Sequence, residues 1–166
     1  QTNINISKAS DEEIKNKLEE LKIKYTVDNR ARLIDSLWKH CRKSIGGPVI
    51  LINEPKIISP LAKTSLKNPD ITERFHFIIA GSEVGQGYSE LNDPIDQRER
   101  FEVQEKMRKS GDQEAQMADY DFIEALEYGM PPTAGHGFSE RLFSFLAGKP
   151  IRETQIFPLM RPRENR

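Results

Sequence analysis

Residues 80–97 read AGSEVGQGYSELNDPIDQ, and this stretch decides which fold the sequence predicts. Residues 74–79 before it alternate in part between polar and apolar side chains, residues 80–82 offer a turn, and residues 83–91 continue in strand-like fashion. Two strands joined by a short turn that contains glycine are typical of an antiparallel hairpin. We therefore predict a hairpin here, and a helix that starts at Asp93-Pro94 directly after it.

The second strand of this hairpin carries an unusual set of polar residues. Gln86, Tyr88 and Glu90 share parity, so a regular strand points all three to one face. Their amide, aromatic ring and carboxylate suit an aliphatic cation, which Glu90 would pair with and Tyr88 would flank. Gly85 and Gly87 mark a close approach by backbone or ligand. Spacing alone favours a solvent-facing polar strand edge, with a specific small-ligand site as the alternative.

Regular elements are predicted on both sides of the hairpin. The elements before it are a short amphipathic helix opened by a capping box at 10–13, a helix over about 30–43, and a buried strand at the apolar run VILI, 49–52. The elements after it are helices over about 96–111, 115–128 and 139–146, an extended connector at 131–137, and a last element over 151–159. Gly148 is the predicted cap of the third of these helices.

Composition narrows the class of protein. The 166 residues suit one domain, and 25 basic against 26 acidic side chains leave no bulk charge that would attract nucleic acid. No apolar run approaches the roughly 20 residues of a membrane span, so no membrane partner is predicted. The single cysteine, Cys41, excludes an internal disulfide and fits a reducing cytosol, so we expect a cytoplasmic location. Residues 1–9 are polar and predict a disordered segment or linker.

Four ordered blocks of the sequence resemble class II lysyl-tRNA synthetases. They are the lysine-site segment at 83–98, the strand and loop at 58–75, the helical stretch at 111–135, and motif 3 with the C-terminus at 140–162. The resemblance covers about residues 10–162. It implies an α/β (α+β) fold in which residues 10–166 are the C-terminal portion of the catalytic domain, part of the class II antiparallel sheet flanked by helices.

The resemblance also implies roles for individual residues. Glu90 corresponds to a carboxylate that recognises lysine, Tyr88 to an aromatic ring that packs on the lysine side chain, and Gln86 to a position that usually holds a substrate-contacting Asn. Glu83 corresponds to a catalytic carboxylate that binds magnesium on the phosphates of ATP. Arg141 corresponds to the catalytic motif 3 arginine, whose guanidinium stacks on adenine.

Two departures from the family pattern stand out. His76 takes the place of a second metal-binding Glu, and Mg²⁺ prefers hard oxygen ligands. In motif 3, residues 134–141 are one residue shorter than usual and contain fewer glycines.

The implied reaction is the ATP-dependent activation of lysine and its transfer to tRNA(Lys), with Mg²⁺ as the cofactor and a homodimer as the full enzyme. We find no counterpart of motif 1, motif 2 or the anticodon-binding OB domain before residue 10. We therefore predict an incomplete sheet with an exposed edge, and an isolated chain that does not form aminoacyl-adenylate.

Two other classes of function stay open at this point. One is an amino-acid-activating paralogue that modifies a translation factor. The other is a non-catalytic module that binds lysine, nucleotide or a partner protein. The changes at His76, at Gln86 and in motif 3 give weight to the second of these classes.

Overall fold

The computed structural model describes residues 2–159, and its centre is one four-stranded antiparallel sheet. The strands are β1 (Val49–Ile52), β2 (Arg74–Ile79), β3 (Ser82–Ser89) and β4 (Ala134–Phe138), in the order β1-β2-β3-β4. The helices are α1 (Asp11–Glu20), α2 (Arg30–Cys41), α3 (Pro94–Lys109), α4 (Tyr120–Glu127), α5 (Glu140–Ala147) and α6 (Ile151–Thr154). This antiparallel sheet flanked by helices confirms the predicted α/β (α+β) class.

The predicted hairpin is confirmed as the pair β2–β3. Ala80 and Gly81 form the turn, and both have positive φ angles, of 48° and 72°. The register pairs Arg74 with Tyr88 and His76 with Gln86. These four side chains therefore lie on the same face of the sheet.

The strand β1 differs from its prediction. Its apolar run predicted burial on both faces, but β1 is an edge strand within residues 2–159, and Ile50 and Ile52 are 59% and 58% exposed. The prediction of a buried strand is therefore wrong for the described residues. An apolar run of four residues indicates a strand, but it does not indicate how many neighbours cover that strand.

The first core cluster joins α1 and α2. Ile14 and Leu18 of α1 and Leu33 of α2 are completely buried, and the capping box at Ser10 and Glu13 is present as predicted. Ile4, Ile6 and Ala9 also pack against this cluster. Residues 2–9 thus make apolar contacts that the prediction of a loose segment did not include, because isoleucines in a polar stretch can still reach a neighbouring core.

The helix α3 anchors the segment that runs beside the end of β3. Arg100 is buried and donates hydrogen bonds to Ala62 O at 2.7 Å and to Thr64 Oγ1 at 2.6 Å. The same guanidinium pairs with Asp96 at 2.7 Å, which balances its buried charge. Ala62 in turn forms a β-bridge with Glu90. The buried arginine therefore fixes the backbone on which Glu90 sits.

The remaining predictions differ from the structure mainly at element boundaries. The predicted helix 115–128 begins only at Tyr120, where Asp119 caps it, and the last element is regular only over α6. The helix α5 ends at Gly148, whose φ of 60° is left-handed, as predicted for a cap. Residues 160–162 of the motif 3 resemblance lie outside the described residues. No helix among residues 2–159 is both long and apolar enough to cross a membrane.

Candidate functional site

The sheet borders an open cavity of about 670 Å³, which β2, β3 and β4 all line. Five of the six predicted site residues line it, together with Arg74; the five are His76, Glu83, Gln86, Tyr88 and Glu90. The sequence prediction that Gln86, Tyr88 and Glu90 share a face agrees with this arrangement. Gln86 itself is exposed, so the solvent-facing polar strand edge stays an alternative prediction beside the ligand site.

A β-bulge brings Glu83 to the same cavity. Glu83 and Gln86 are three positions apart along the chain, and a regular strand would place them on opposite faces. The register of β2 and β3 shifts so that Phe77 pairs with Gly85 and Ile78 with Glu83, which leaves Val84 as the extra residue. The bulge therefore turns the Glu83 carboxylate toward Gln86.

The reverse face of the sheet explains the two glycines of β3. A Cβ on Gly87 would lie 2.6 Å from Cζ of Phe75 and 2.7 Å from the carbonyl oxygen of Gly135. A Cβ on Gly85 would lie 2.8 Å from Cδ1 of Phe138. The rings cross directly over the strand, so only glycine fits between them and the backbone. The close approach predicted from these glycines is thus made by aromatic side chains, on the face of the sheet opposite Gln86 and Tyr88.

Glu83 is held as an anion. The indole Nε1–H of Trp38 donates a hydrogen bond of 2.7 Å to Oε1, and Nδ1 of His76 lies 3.8 Å from Oε2. His76 beside the carboxyl, the Trp38 hydrogen bond and the charge of Arg42 lower the pKa of Glu83 from 4.5 to about 2, against the opposing effect of burial. Glu83 is therefore ionised at neutral pH and presents negative charge to the cavity.

His76 lies between two carboxylates. Its Nε2 is 3.3 Å from Oε1 of the buried Glu54, and its Nδ1 faces Glu83. Imidazole beside two carboxylates is suited to pairing with them. Its role as a metal ligand stays a prediction.

Glu90 has a different environment. Burial raises the pKa of its carboxyl above the ordinary value, and among residues 2–159 no basic side chain pairs with it. The pKa of the nearby Tyr88 hydroxyl is also raised, first by burial and then by the charge of Glu90. A half-buried carboxylate without a counter-ion is a binding group for a cation.

Gln86 is engaged by a residue that sequence reasoning missed. Nη2 of Arg74 donates a hydrogen bond to Oε1 of Gln86, and the guanidinium lies 6.0 Å from the centre of the Tyr88 ring. Behind Arg74, the buried Ser59 accepts a hydrogen bond from its guanidinium, and the buried carboxylate of Glu54 balances its charge. A signal for Arg74 was present in the sequence, because it shares parity with His76 on β2.

Arg141 is the predicted site residue that the structure does not bring to the cavity wall. It is the second residue of α5, its side chain is exposed, and its backbone N–H donates to Oγ of Ser139 at 3.2 Å. Ser139, two residues earlier, does line the cavity. The arginine therefore lies at the rim, and its contact with a nucleotide stays a prediction.

The donor set fits a magnesium ion only in a limited way. Among residues 2–159, no three acidic, histidine or cysteine side chains converge as a group that could hold a metal. Mg²⁺ commonly keeps several waters and takes one or two carboxylates plus phosphate oxygens. The single anionic carboxylate of Glu83 fits that kind of binding, and a cage made by protein groups alone does not fit.

Comparison with known proteins identifies the family. The sequence matches the family model of class II tRNA synthetases (D, K and N) over residues 2–161. The chain therefore belongs to the class II tRNA synthetase family.

Proteins with similar sequences include several named lysine–tRNA ligase. The chain is 46% identical over 163 residues to the lysine–tRNA ligase of Thermotoga maritima, with 97% of the chain and 32% of the relative covered. It is 44% identical over 165 residues to that of Porphyromonas gingivalis, with 97% and 28% covered. The resemblance to lysyl-tRNA synthetases is thus confirmed, and the chain spans about a third of the length of these relatives.

Proposed function

We propose that this chain is the C-terminal part of the catalytic domain of a lysine–tRNA ligase, which activates lysine with ATP and transfers it to tRNA(Lys). The observation that carries the proposal is Glu90, a half-buried carboxylate with a raised pKa and no basic partner among residues 2–159, on the wall of the cavity. The similarity to relatives named lysine–tRNA ligase supports lysine as the cation that Glu90 binds.

Lysine suits the order of groups along β3. The ammonium group of the lysine side chain pairs with Glu90, and its methylene groups pack on Tyr88. Gln86 and Glu90 are four residues apart, roughly 13 Å along an extended chain. A ligand with polar groups at both ends and an aliphatic middle matches this spacing.

ATP binds beside the lysine, on the side of Glu83 and Arg141. Magnesium bound with the nucleotide supplies neutralisation of phosphate charge. Glu83 holds a negative charge for that ion, and Arg141 lies at the rim where its planar guanidinium stacks on an adenine. The lysine carboxylate attacks the α-phosphate and pyrophosphate leaves. The chain's own residues contribute binding and orientation to this step.

The proposal also covers the full-length protein of which this chain is a part. We propose its tRNA partner, its homodimeric state and its cytoplasmic location from the class of the relatives. The isolated chain is expected to bind lysine without forming lysyl-adenylate.

Calorimetry tests the proposal directly. Wild type is expected to bind L-lysine, and E90Q is expected to bind it at least tenfold more weakly, because losing one charge-assisted contact costs on the order of 1.5–3 kcal/mol. E127Q is the matched control, since Glu127 is exposed on α4, lies outside the cavity and pairs with Arg98. Failure of wild type to bind lysine would contradict the proposed function.

The position of Arg141 favours a second candidate function, a non-catalytic module. Arg141 is not among the residues that line the cavity, which is the arrangement expected of a module that binds no nucleotide. Calorimetry with ATP and Mg²⁺ separates the two candidates. Nucleotide binding that weakens in R141M supports the ligase, and lysine binding without any nucleotide binding supports the module.

A further inference from the structure

We infer that Glu54, Ser59 and Arg74 form a positioning relay that fixes the orientation of the Gln86 side chain in the cavity. The inference rests on the proposed function and deepens it. None of the three residues is assigned a role by the resemblance or by the relatives. All three lie on or below the same face of the sheet as Gln86.

The relay begins at the side-chain amide of Gln86. Arginine carries only donors, so the group of Gln86 that meets Arg74 must be the carbonyl oxygen. The hydrogen bond from Nη2 of Arg74 to Oε1 of Gln86 therefore settles which end of the amide is which. With the oxygen engaged, the NH₂ end is the group that Gln86 offers to a ligand. That end donates hydrogen bonds and cannot accept one.

Arg74 is itself held from behind. Its Nη1 donates to Oγ of Ser59 at 3.2 Å, and the Ser59 hydroxyl donates to Oε2 of Glu54 at 3.1 Å. Oε2 of Glu54 is also 3.5 Å from Nη1 of Arg74. A serine hydroxyl can accept one hydrogen bond and donate another, so the three groups form one chain. Ser59 is 1% exposed and Glu54 is 5% exposed, so water competes little with these contacts.

Glu54 also faces His76, which pairs with Gln86 across the two strands. Oε1 of Glu54 lies 3.3 Å from Nε2 of His76, while Oε2 serves Ser59. A buried carboxylate is costly unless its charge is compensated. Here Oε1 faces His76, and Oε2 accepts a hydrogen bond from Ser59 and lies near Arg74. The placement indicates a group that organises the cavity from below.

The relay gives the cavity a direction. Gln86 donates at one end and Glu90 accepts at the other, with Tyr88 between them. A ligand with an oxygen acceptor at one end and an ammonium group at the other matches this order. A ligand with ammonium groups at both ends meets the NH₂ of Gln86 with a second donor, which is unfavourable.

Nuclear magnetic resonance on the ligand-free chain tests the relay without relying on the proposed function. The side-chain amide signals of Gln86, assigned by their loss in Q86E, are expected to move in E54Q, S59A and R74K. They are expected to stay in place in two matched controls, D112N and S144A. Asp112 is a buried carboxylate paired with Arg32, and Ser144 is a buried serine that donates to Lys149 O. S59A carries the test if E54Q does not fold.

Ligand selectivity provides the second readout. Calorimetry with L-lysine and with cadaverine, which has two ammonium groups and no carboxylate, compares the two ligands in each variant. E54Q and S59A are expected to weaken lysine binding by about threefold to tenfold, the loss of one net hydrogen bond, and to leave cadaverine binding unchanged. A purely structural role would weaken both ligands equally, and that result would overturn the inference.

The two measurements separate two kinds of failure. Unchanged Gln86 signals in all three relay variants overturn the relay, whatever the chain binds. If the Gln86 signals shift in the relay variants but the wild-type chain binds no lysine, the relay is supported and the proposed function is contradicted.

Discussion

The indole Nε1–H of Trp38 donates a 2.7 Å hydrogen bond to Oε1 of Glu83, which joins α2 to β3 at the cavity. W38F keeps most of the ring but removes this donor. Because the hydrogen bond stabilises the ionised carboxylate, the pKa of Glu83 is expected to rise from its value of about 2. A carbon-detected titration of the Glu83 carboxyl measures the change. His76 remains in W38F, so the pKa should stay below 4.5; an unchanged pKa would show that Trp38 contributes only packing.

The packing of aromatic rings over β3 predicts a large difference between two glycines in neighbouring strands. G87A places a methyl group 2.7 Å from the carbonyl oxygen of Gly135, which the backbone cannot easily avoid. We expect a loss of about 1–3 kcal/mol in the free energy of unfolding, as for other overpacked sites. G137A is the control, because a Cβ there meets nothing within 4 Å, and its effect should stay within about 0.5 kcal/mol. Urea denaturation measures the free energy of unfolding of both variants. Equal values for G87A and G137A would contradict the steric argument.

The lowered pKa of Asp96 predicts that the folded chain loses stability in acid. Its hydrogen bonds with Arg100 and then with Lys56 lower its pKa below 3.8, although burial acts in the opposite direction. A lowered carboxyl pKa stabilises the folded chain fully above the unfolded value, and the contribution disappears as pH falls through the folded value. D96N should therefore be less stable than wild type at pH 7, by about 1–3 kcal/mol, and should approach wild type below 3.8. K56M is the control.

Lys56 contacts the same carboxylate at 3.0 Å, but it is more exposed than Arg100. Its replacement should cost less than about 1 kcal/mol. Thermal unfolding at several pH values measures all three proteins. A D96N variant that keeps the pH dependence of wild type would place the acid sensitivity elsewhere.

Lysine binding is expected to weaken on acidification because of Glu90. Burial raises the pKa of this carboxyl above 4.5, so it becomes neutral at a higher pH than an exposed glutamate. Neutral Glu90 cannot pair with an ammonium group, and bound lysine should in turn lower the pKa of Glu90. Calorimetry between pH 7 and 4.5 measures the affinity. E90Q should show weak binding without this pH dependence, and an equal dependence in E90Q would assign it to another group.

The sequence predicts the hairpin and its face of polar residues because strand periodicity is a local property. Gln86, Tyr88 and Glu90 follow that period and line one cavity. Glu83 does not follow it, and its place depends on the bulge at Val84, which only the pairing with β2 reveals. Arg74 was missed because its contacts with Gln86, Ser59 and Glu54 join residues that are distant in sequence.

Long-range pairing explains the other misses. The stretch of β4, AGHGF, reads as a glycine-containing connector, but it becomes a strand because β3 offers a partner along its whole length. The strand β1 was predicted from its apolar run, but its exposure depends on which strands lie beside it. Such properties belong to the assembled sheet, so no window of the sequence contains them.

The outer edge of β1 has a consequence for handling the chain. Its VILI backbone pairs only with β2 among residues 2–159, and its isoleucines face solvent. An uncovered apolar edge acts as a template for further strands, so concentrated solutions of this chain should self-associate edge to edge. A lysine in place of Ile50 would act as a gatekeeper against such growth, and light scattering of I50K beside wild type would measure its effect.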